Sequence, residues 1–248
     1  MLRGLYTAAS ALLADQTWQN VIGNNLDNLE TPGYKADAPV MGEFDNALLS
    51  RLGAAGETVG ALDGGSGVTE TVTNLSSGPL AETGRPLDVA PVGGAWLAVN
   101  TAQGVRYTQD GALALSSTGE LVTTGGQAVL GVGNRPIVVP TGATVAIEGD
   151  GTVTAGGAAV GRLLLTSFTR PTLLQAQGNG LFQAPAAAGP RTFAPGTGVE
   201  SGYLEGANVD ESTLATQLLQ VQSNFQANQT SLTTANQTFT QLVQDLGK

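Results

Sequence analysis

The chain has 248 residues, of which 35 are glycine, and a net charge of −10 from 20 acidic and 10 basic residues. The absence of cysteine and histidine excludes thiol catalysis, disulfides, histidine acid–base chemistry and most transition-metal sites. The bases form no stripe, so we expect no nucleic-acid partner. No apolar run reaches about 18 residues, so we expect no membrane span. We also expect no catalytic residue, cofactor or metal.

The first segment has a helical pattern. Apolar side chains recur along one face with a single phase slip: Leu5, Ala9, Leu12, Ile22, Leu26 and Leu29. Thr31, Pro32 and Gly33 then end the helix, because proline disfavours helix at the preceding residue and glycine can adopt the left-handed conformation.

Residues 36–80 carry few large apolar side chains. We expect an extended linker segment, with at most a short helix over 41–52, because the stretch that follows is rich in glycine, alanine, threonine and serine.

Residues 81–203 read as a β-rich domain. Short apolar runs predict strands at 96–99, 105–107, 113–115, 120–123, 128–130, 137–139, 144–147 and 162–165. Turn signals such as Asp110-Gly111 and Asp150-Gly151 separate these runs. Short strands at this spacing are typical of an antiparallel sandwich or barrel-like domain.

Carboxylates are the remaining candidates for chemistry, namely Asp88, Asp110, Glu120, Glu148 and Asp150. Asp110 and Asp150 precede glycine, so we expect both to act in turns. An unusual carboxylate-based hydrolase would need two of the five in one deep cleft. The two lysines of the chain, Lys35 and Lys248, do not follow a glycine-rich loop, so the sequence has no phosphate-binding P-loop motif.

The last stretch has apolar residues in alternating steps of four and three. They are Leu214, Leu218, Val221, Phe225, Leu232, Ala235, Phe239, Leu242 and Leu246. Asn228 occupies the seam position between Phe225 and Leu232. The pattern predicts a heptad seam, although an ordinary amphipathic helix packed on its own domain would share it.

The composition of this stretch favours an assembly. No charged residue occurs between Ser212 and Gln244, whereas an exposed helix usually carries ion pairs. The seven threonines between Thr213 and Thr240 are mediocre helix formers. We therefore expect a helix that is weak alone and packs on most faces against neutral partners, since buried charges there would cost several kcal/mol each.

Together these patterns predict an α+β fold. The N- and C-terminal helices pair as a coiled-coil-like domain, and the centre is an antiparallel β-rich domain. The predicted divisions are an N-terminal assembly helix over 1–35, the linker segment over 36–80, the β-rich domain over 81–203, and a C-terminal assembly helix over 204–248 that packs with 1–35.

Several motifs resemble one known family. Residues 20–35, with four asparagines before Thr-Pro-Gly-Tyr-Lys, resemble the N-terminal signature of flagellar rod and hook proteins. Residues 202–210, Gly-Tyr-Leu-Glu-Gly-Ala-Asn-Val-Asp, are similar to the C-terminal signature of that family. Residues 83–89, 106–111 and 119–123 resemble the β-domain of rod proteins.

The resemblance implies a structural, non-enzymatic subunit of the flagellar basal-body rod, the drive shaft between motor and hook. It implies partners that are copies of this chain, other rod or hook subunits and the flagellar type III export apparatus, with no small-molecule substrate. The implied location is the extracytoplasmic basal body, reached without a cleaved signal. An alternative from another class is a secreted β-domain binding or adhesion module with a helical hairpin.

The motifs and the seam together supply the candidate assembly residues. At the N-terminal end these are Leu5, Leu12, Ile22, Asn24, Asn25, Leu26, Asn28, Thr31, Gly33 and Tyr34. At the C-terminal end they are Leu204, Asn208, Val209, Leu214, Leu218, Val221, Phe225, Asn228, Leu232, Ala235, Phe239 and Leu242.

Overall fold

A computed structural model describes residues 2–43, 47–50, 58–62, 66–140 and 142–246. The chain divides into two compact units, each built from separated stretches. The helical unit comprises Met1–Asp27, Asp37–Val72 and Asp210–Lys248. The β-rich unit comprises Asn28–Ala36 and Thr73–Val209.

The helical unit contains two long helices that contact each other, α1 (Leu2–Asp27) and α2 (Glu211–Leu246). It also contains β1 (Asp37–Glu43), β2 (Ala47–Ser50), β3 (Thr58–Leu62) and β4 (Ser66–Thr73). Strand β1 pairs with β4, and β2 pairs antiparallel with β3. In the described part of the chain, neither helix has an apolar stretch long enough to cross a membrane.

Helix α2 begins with a side-chain cap. The backbone N–H of Ser212 donates to Asp210 Oδ1 over 3.0 Å, and the Thr213 hydroxyl donates to Asp210 Oδ2 over 2.8 Å. The hydrogen bond from the Thr213 hydroxyl, and to a smaller extent the one from the Ser212 N–H, hold the pKa of Asp210 below its usual value. Asp210 thereby accepts a hydrogen bond from one of the N–H groups that the first helical turn leaves without an intrahelical acceptor.

The β-rich unit has strands along most of its length. They are β5 (Leu80–Glu82), β6 (Val89–Val92), β7 (Trp96–Thr101), β8 (Gly104–Thr108), β9 (Leu113–Leu115), β10 (Leu121–Thr123), β11 (Ala128–Gly131), β12 (Arg135–Pro136), β13 (Val145–Ile147), β14 (Thr152–Ala155), β15 (Ala158–Arg162), β16 (Leu165–Phe168), β17 (Gln175–Ala176), β18 (Phe182–Gln183), β19 (Pro190–Thr192), β20 (Gly198–Ser201) and β21 (Tyr203–Glu205). Short 3₁₀ turns occupy Pro171–Leu173 and Ala186–Ala188.

The largest sheet of the β-rich unit has the order β17-β18-β8-β7-β11-β10-β9, with β12 beside β11 and with β16 between β7 and β19. A second sheet has the order β13-β14-β15, and two further pairs are β20-β6 and β21-β5. The described pairings of this unit are antiparallel. The predicted α+β class, with two terminal helices and a large antiparallel region, is therefore confirmed.

The core of the β-rich unit lies between the large sheet and the three-stranded sheet. Leu97 and Leu121 from the large sheet and Val153 from the smaller one are fully buried in a single apolar cluster. Leu163 and Leu165 belong to the same cluster and lie where the chain passes from β15 to β16.

The short helix allowed over 41–52 is wrong for the described residues. Strand β1 continues to Glu43 and β2 spans Ala47–Ser50, while residues 44–46 and 51–57 lie outside the described residues. Backbone pairing with β4 and β3 gives part of these N–H and C=O groups hydrogen-bond partners, and Gly42 within the segment is a poor helix former. The role of 36–80 as an extended, partner-dependent segment stays a prediction.

Helix α1 ends earlier than its apolar pattern predicts. It stops at Asp27, so Leu29 lies in a turn and not on the helix. The Thr31 N–H donates to the Asn28 carbonyl over 3.1 Å, and the Thr31 hydroxyl donates to Asn28 Oδ1 over 3.2 Å. Asparagine and threonine thus offer the backbone a local alternative to helix. The predicted left-handed conformation of Gly33 is confirmed, with φ at 67°.

Two predicted strands also differ. In 137–139, Val138 makes only an isolated bridge to Glu120. The run 162–165 is divided, because β15 ends at Arg162, Leu163 bridges Gly131 and β16 starts at Leu165. The run is apolar because Leu163 and Leu165 are buried while the chain changes sheets, so continuous apolarity here does not mark one continuous strand.

Candidate functional site

The two signature motifs meet in the β-rich unit through a buried ion pair. Lys35 Nζ lies 2.7 Å from Glu205 Oε1, and the two side chains are 0% and 1% exposed. Lys35 belongs to the N-terminal loop (residues 28–36), and Glu205 belongs to the C-terminal segment (residues 202–209). Residues 170 positions apart in sequence are thereby joined.

Neutral polar groups complete the surroundings of this ion pair. Lys35 Nζ also donates to the Ser76 carbonyl over 2.9 Å, and the Gly78 N–H donates to Glu205 Oε1 over 2.7 Å. Both partners come from a third stretch, the bridging segment (residues 74–79). A buried ion pair offsets its desolvation cost only when such additional hydrogen bonds are made, so the arrangement depends on three chain segments at once.

Asn208 joins the same three segments through its amide. Its Oδ1 accepts from the Ala36 N–H over 2.7 Å, and its Nδ2 donates to the Asn74 and Ser76 carbonyls over 2.7 and 2.9 Å. Its backbone N–H donates to the Tyr34 carbonyl over 3.3 Å. A side chain that donates and accepts at once is suited to this position.

Gly33 brings the N-terminal loop against the β-rich unit. Its N–H donates to the Glu205 carbonyl over 2.7 Å. A Cβ at this position would lie only 2.5 Å from the Asp110 nitrogen and the Gln109 carbonyl oxygen, and φ is 67°. Both the close approach and the left-handed conformation therefore require glycine.

In the helical unit, the Asn-rich motif binds the start of β1. Asn25 Nδ2 donates to the Asp37 carbonyl over 2.7 Å, and the Asp37 N–H donates to Asn25 Oδ1 over 2.9 Å. Asn25 is 4% exposed, whereas Asn24 and Leu26 beside it are exposed. This asparagine fixes the chain where it re-enters the helical unit after the N-terminal loop.

Most positions of the predicted α2 seam are buried or half-buried. Leu214 and Val221 are 7% and 1% exposed. The next seam positions are half-buried: Leu218, Phe225, Asn228, Leu232 and Ala235. Phe239 and Leu242 are 48% and 41% exposed. The helical unit thus buries the first part of the seam and leaves its last part uncovered.

Asn228 forms a hydrogen bond with an acidic residue of α1. Asn228 Nδ2 donates to Asp15 Oδ2 over 2.8 Å. Asp15 is 8% exposed and lies beside Ala14, which is 3% exposed, on the face of α1 that also buries Ile22. A polar pair therefore occupies a seam that is otherwise apolar.

The remaining predicted positions are spread between the two units. Leu5 and Leu12 lie on α1, and the latter is half-buried. In the β-rich unit the half-buried positions are Asn28, Thr31, Tyr34, Leu204, Asn208 and Val209. Leu204 lies in strand β21, which pairs with β5 through the register Leu204 with Ala81.

Sequence reasoning missed Asp15, Lys35 and Glu205 as site residues. Lys35 and Glu205 lie inside the two terminal motifs. Because charged residues are only 12% of the chain, their presence in these motifs could have identified them as site residues. An acid and a base inside two otherwise neutral motifs are candidates for a mutual contact. Asp15 is the only charged residue between positions 4 and 26, but periodicity alone could not identify its partner.

Asp110 and Asp150 act in turns, as predicted. Asp110 Oδ1 accepts from the Ala112 N–H over 3.0 Å, and Asp150 Oδ1 accepts from the Thr152 N–H over 2.9 Å. Burial raises the pKa of Asp110, whereas hydrogen bonds from Thr152 lower the pKa of Asp150. Among the residues that the structure describes, no three acidic side chains gather in a way that could hold a metal ion.

Three family descriptions match successive parts of the chain. They are "Flagella basal body rod protein" over residues 5–35, "Flagellar hook protein FlgE/F/G D1 domain" over residues 92–155 and "Flagellar basal body rod FlgEFG protein C-terminal" over residues 200–245. The first and last ranges include Lys35 and Glu205, respectively.

Similar proteins cover nearly the whole chain. The flagellar basal-body rod protein FlgG of Bacillus subtilis (strain 168) is 32% identical over 98% of each chain. FlgG of Agrobacterium fabrum (strain C58 / ATCC 33970) is 33% identical over 95% of this chain and 96% of its own. The flagellar basal-body rod protein FlgF of Escherichia coli (strain K12) is 35% identical over 85% of this chain and 84% of its own. The chain therefore belongs to the flagellar basal-body rod protein family, as its motifs predicted, and is a structural protein of the flagellar basal body.

Proposed function

We propose that this chain polymerises through its terminal helices into the tubular rod that transmits torque between motor and hook. The observation that carries the proposal is the uncovered end of α2, where Phe239, Leu242 and Val243 are 48%, 41% and 54% exposed. Contiguous apolar side chains of this size on a helix are typical of a surface that a partner covers.

The neutral character of α2 supports the same proposal. Its outward face carries amides and hydroxyls, and several hydroxyls donate to the carbonyl four residues earlier, such as Thr230 to Gln226 over 2.9 Å and Thr238 to Thr234 over 2.8 Å. Such bonds satisfy the hydroxyls locally, at a small cost to the helix. Neighbouring copies can therefore cover this face without burying a charge.

We further propose that α1 and α2 pair as a coiled-coil-like domain. The alternating steps of four and three in α2 and the Asn228–Asp15 hydrogen bond support this, because one polar pair in an apolar seam specifies register. Within the proposal, 1–35 and 204–248 are the assembly segments, 36–80 is a partner-dependent segment and 81–203 is the rod-type β-domain.

The proposed partners are copies of this chain and other rod or hook subunits, with delivery by the flagellar type III export apparatus. Nucleic acids and small-molecule substrates have no place in this function. Repeated contacts between different surfaces of successive copies generate a helical filament when the rotation does not close into a ring. A secreted adhesion module is less favoured, because the family is a structural one of the basal body.

A truncation tests the function. A chain ending at Val209 loses α2 but keeps Glu205 and Asn208, so its β-rich unit should fold. The core amides of Leu121 and Val139, which donate to Ile137 and Gly119, should then stay protected from hydrogen exchange. We expect cells that carry this version to assemble no rods and to be non-motile, whereas the full chain restores both. Normal motility with the truncated chain would contradict polymerisation through α2.

A further inference from the structure

The segments that meet at the Lys35–Glu205 ion pair are those through which the chain enters and leaves the β-rich unit. The chain passes between the units after residues 27, 36, 72 and 209. Each of these points lies within a few residues of the N-terminal loop, the bridging segment or the C-terminal segment. The ends of the β-rich unit that lead to the rest of the chain are therefore held by one polar cluster.

Hydrogen bonds join the N-terminal loop to the other two segments. The Gly33 N–H donates to the Glu205 carbonyl and the Ala36 N–H donates to Asn208 Oδ1, both over 2.7 Å. From the bridging segment, the Asn74 N–H donates to the Ala36 carbonyl over 2.8 Å. The Lys35 side chain is 0% exposed. Without Glu205 the loop would bury an ammonium group that has no counter-charge, and such a group strongly disfavours the buried conformation.

We infer that the Lys35–Glu205 ion pair makes order in the N-terminal loop conditional on the presence of the folded C-terminal segment. A chain is synthesised from its N-terminus, so residues 28–36 appear long before Glu205. In an incomplete chain Lys35 stays in water and the loop stays open. The loop becomes ordered only after the C-terminal segment has been synthesised and has folded. An ordered N-terminal loop therefore indicates that the β-rich unit is complete.

Hydrogen exchange on the full-length chain tests this inference. The reporters are the amides of Gly33, Ala36 and Gly78, which all donate into the cluster. The internal controls are the amides of Leu121 and Val139, which donate to Ile137 and Gly119 in the core over 2.9 and 2.8 Å.

Lys35→Met leaves the Glu205 carboxylate buried without a counter-charge. We expect the three reporter amides to exchange roughly a hundredfold faster or more, while the core amides keep their rates. The double variant Lys35→Met with Glu205→Gln removes both charges and keeps an oxygen that can accept from Gly78. Its reporter amides should return to within roughly tenfold of the wild-type rates.

Arg162→Met is the matched control, because Arg162 and Asp150 form an ion pair in the same unit at 3.8 Å with 42% and 54% exposed side chains. It should leave the reporter amides unchanged, as expected for an exposed pair. The inference is overturned if Lys35→Met leaves the reporters protected, if reporters and core lose protection equally, or if the double variant is no better protected than the single one. None of these outcomes depends on polymerisation, so the inference can fail while the proposed function stands.

Discussion

Asp15 on α1 and Asn228 on α2 are joined by a 2.8 Å hydrogen bond from the amide nitrogen of Asn228 to Oδ2 of Asp15. Asn228 lies where the heptad pattern of α2 would otherwise favour an apolar side chain, and Asp15 is buried on the face of α1 that also buries Ala14 and Ile22. The bond forms only when Asp15 and Asn228 lie opposite each other, and we propose that it sets the alignment of the two helices at some cost in apolar contact.

Replacing Asp15 with alanine should destabilise the pairing of the helices. The change removes a charged hydrogen-bond acceptor and leaves the half-buried Asn228 amide without this partner, so we expect a loss of about 2 kcal/mol in the free energy of unfolding. Urea denaturation followed by circular dichroism measures it. Gln16→Ala, at the exposed neighbouring position, should change stability by less than about 0.5 kcal/mol. Equal stability of the two variants would show that the bond is without consequence.

Gly33 and Gly84 offer a matched test of close packing, because both have φ at 67°. A Cβ at Gly33 would lie 2.5 Å from the Asp110 nitrogen, whereas a Cβ at Gly84 would meet no atom within 4 Å. We expect Gly84→Ala to cost about 1–2 kcal/mol for its backbone conformation alone. Gly33→Ala should cost about 3 kcal/mol or more, because packing strain is added. Thermal unfolding of both variants decides the matter, and similar losses would mean that the loop does not press against the β-rich unit.

Asp110 gives the β-rich unit a defined response to pH. Burial raises the pKa of Asp110, and the negative charge of the buried Asp88 raises it further. Asp88 Oδ1 lies 3.7 Å from the Arg85 guanidinium nitrogen Nη1. Because the folded-state pKa lies above the unfolded value, the native protein binds this proton more readily, and acidification through the folded-state pKa adds stability. Above that pKa the buried charge is a cost.

The variant Asp110→Asn isolates this contribution. It keeps an oxygen for the Ala112 N–H and places an amide beside the Thr124 hydroxyl, which donates to Asp110 Oδ2 over 3.1 Å in the native protein. Urea unfolding at a series of pH values should show the wild type gaining stability relative to the variant as pH falls from 7 to 4. A constant difference, or one of opposite sign, would contradict the raised pKa.

The sequence was informative where the pattern is local and uninformative where it is not. The α2 seam could be predicted because Leu214 and Val221 recur on one helical face whatever surrounds them. Gly33 could be predicted as a turn because Pro32 and Gly33 act on their own backbone. The end of α1 could not, because Asn28 and Thr31 compete for backbone hydrogen bonds while Leu29 keeps the helical spacing.

The polar cluster needed knowledge of the tertiary fold. Lys35 and Glu205 are 170 residues apart, and nothing in the spacing of either motif indicates which charge it meets. Strands β1 to β4 were missed for a similar reason. Their pairing satisfies backbone groups across gaps in sequence, and segments with few apolar residues give a weak periodic signal.

We propose that other subunits cover the end of the α2 seam. Phe239 and Leu242 are exposed in the single chain, so Phe239→Ser with Leu242→Ser should leave its urea unfolding within about 1 kcal/mol of wild type. Val132→Ser changes a 56% exposed apolar residue of the β-rich unit and is the control. The decisive measurement is rod assembly and motility in cells whose only copy carries the double change. We predict that rods and motility are lost with the double variant and kept with the control, and normal rods with the double variant would contradict the account.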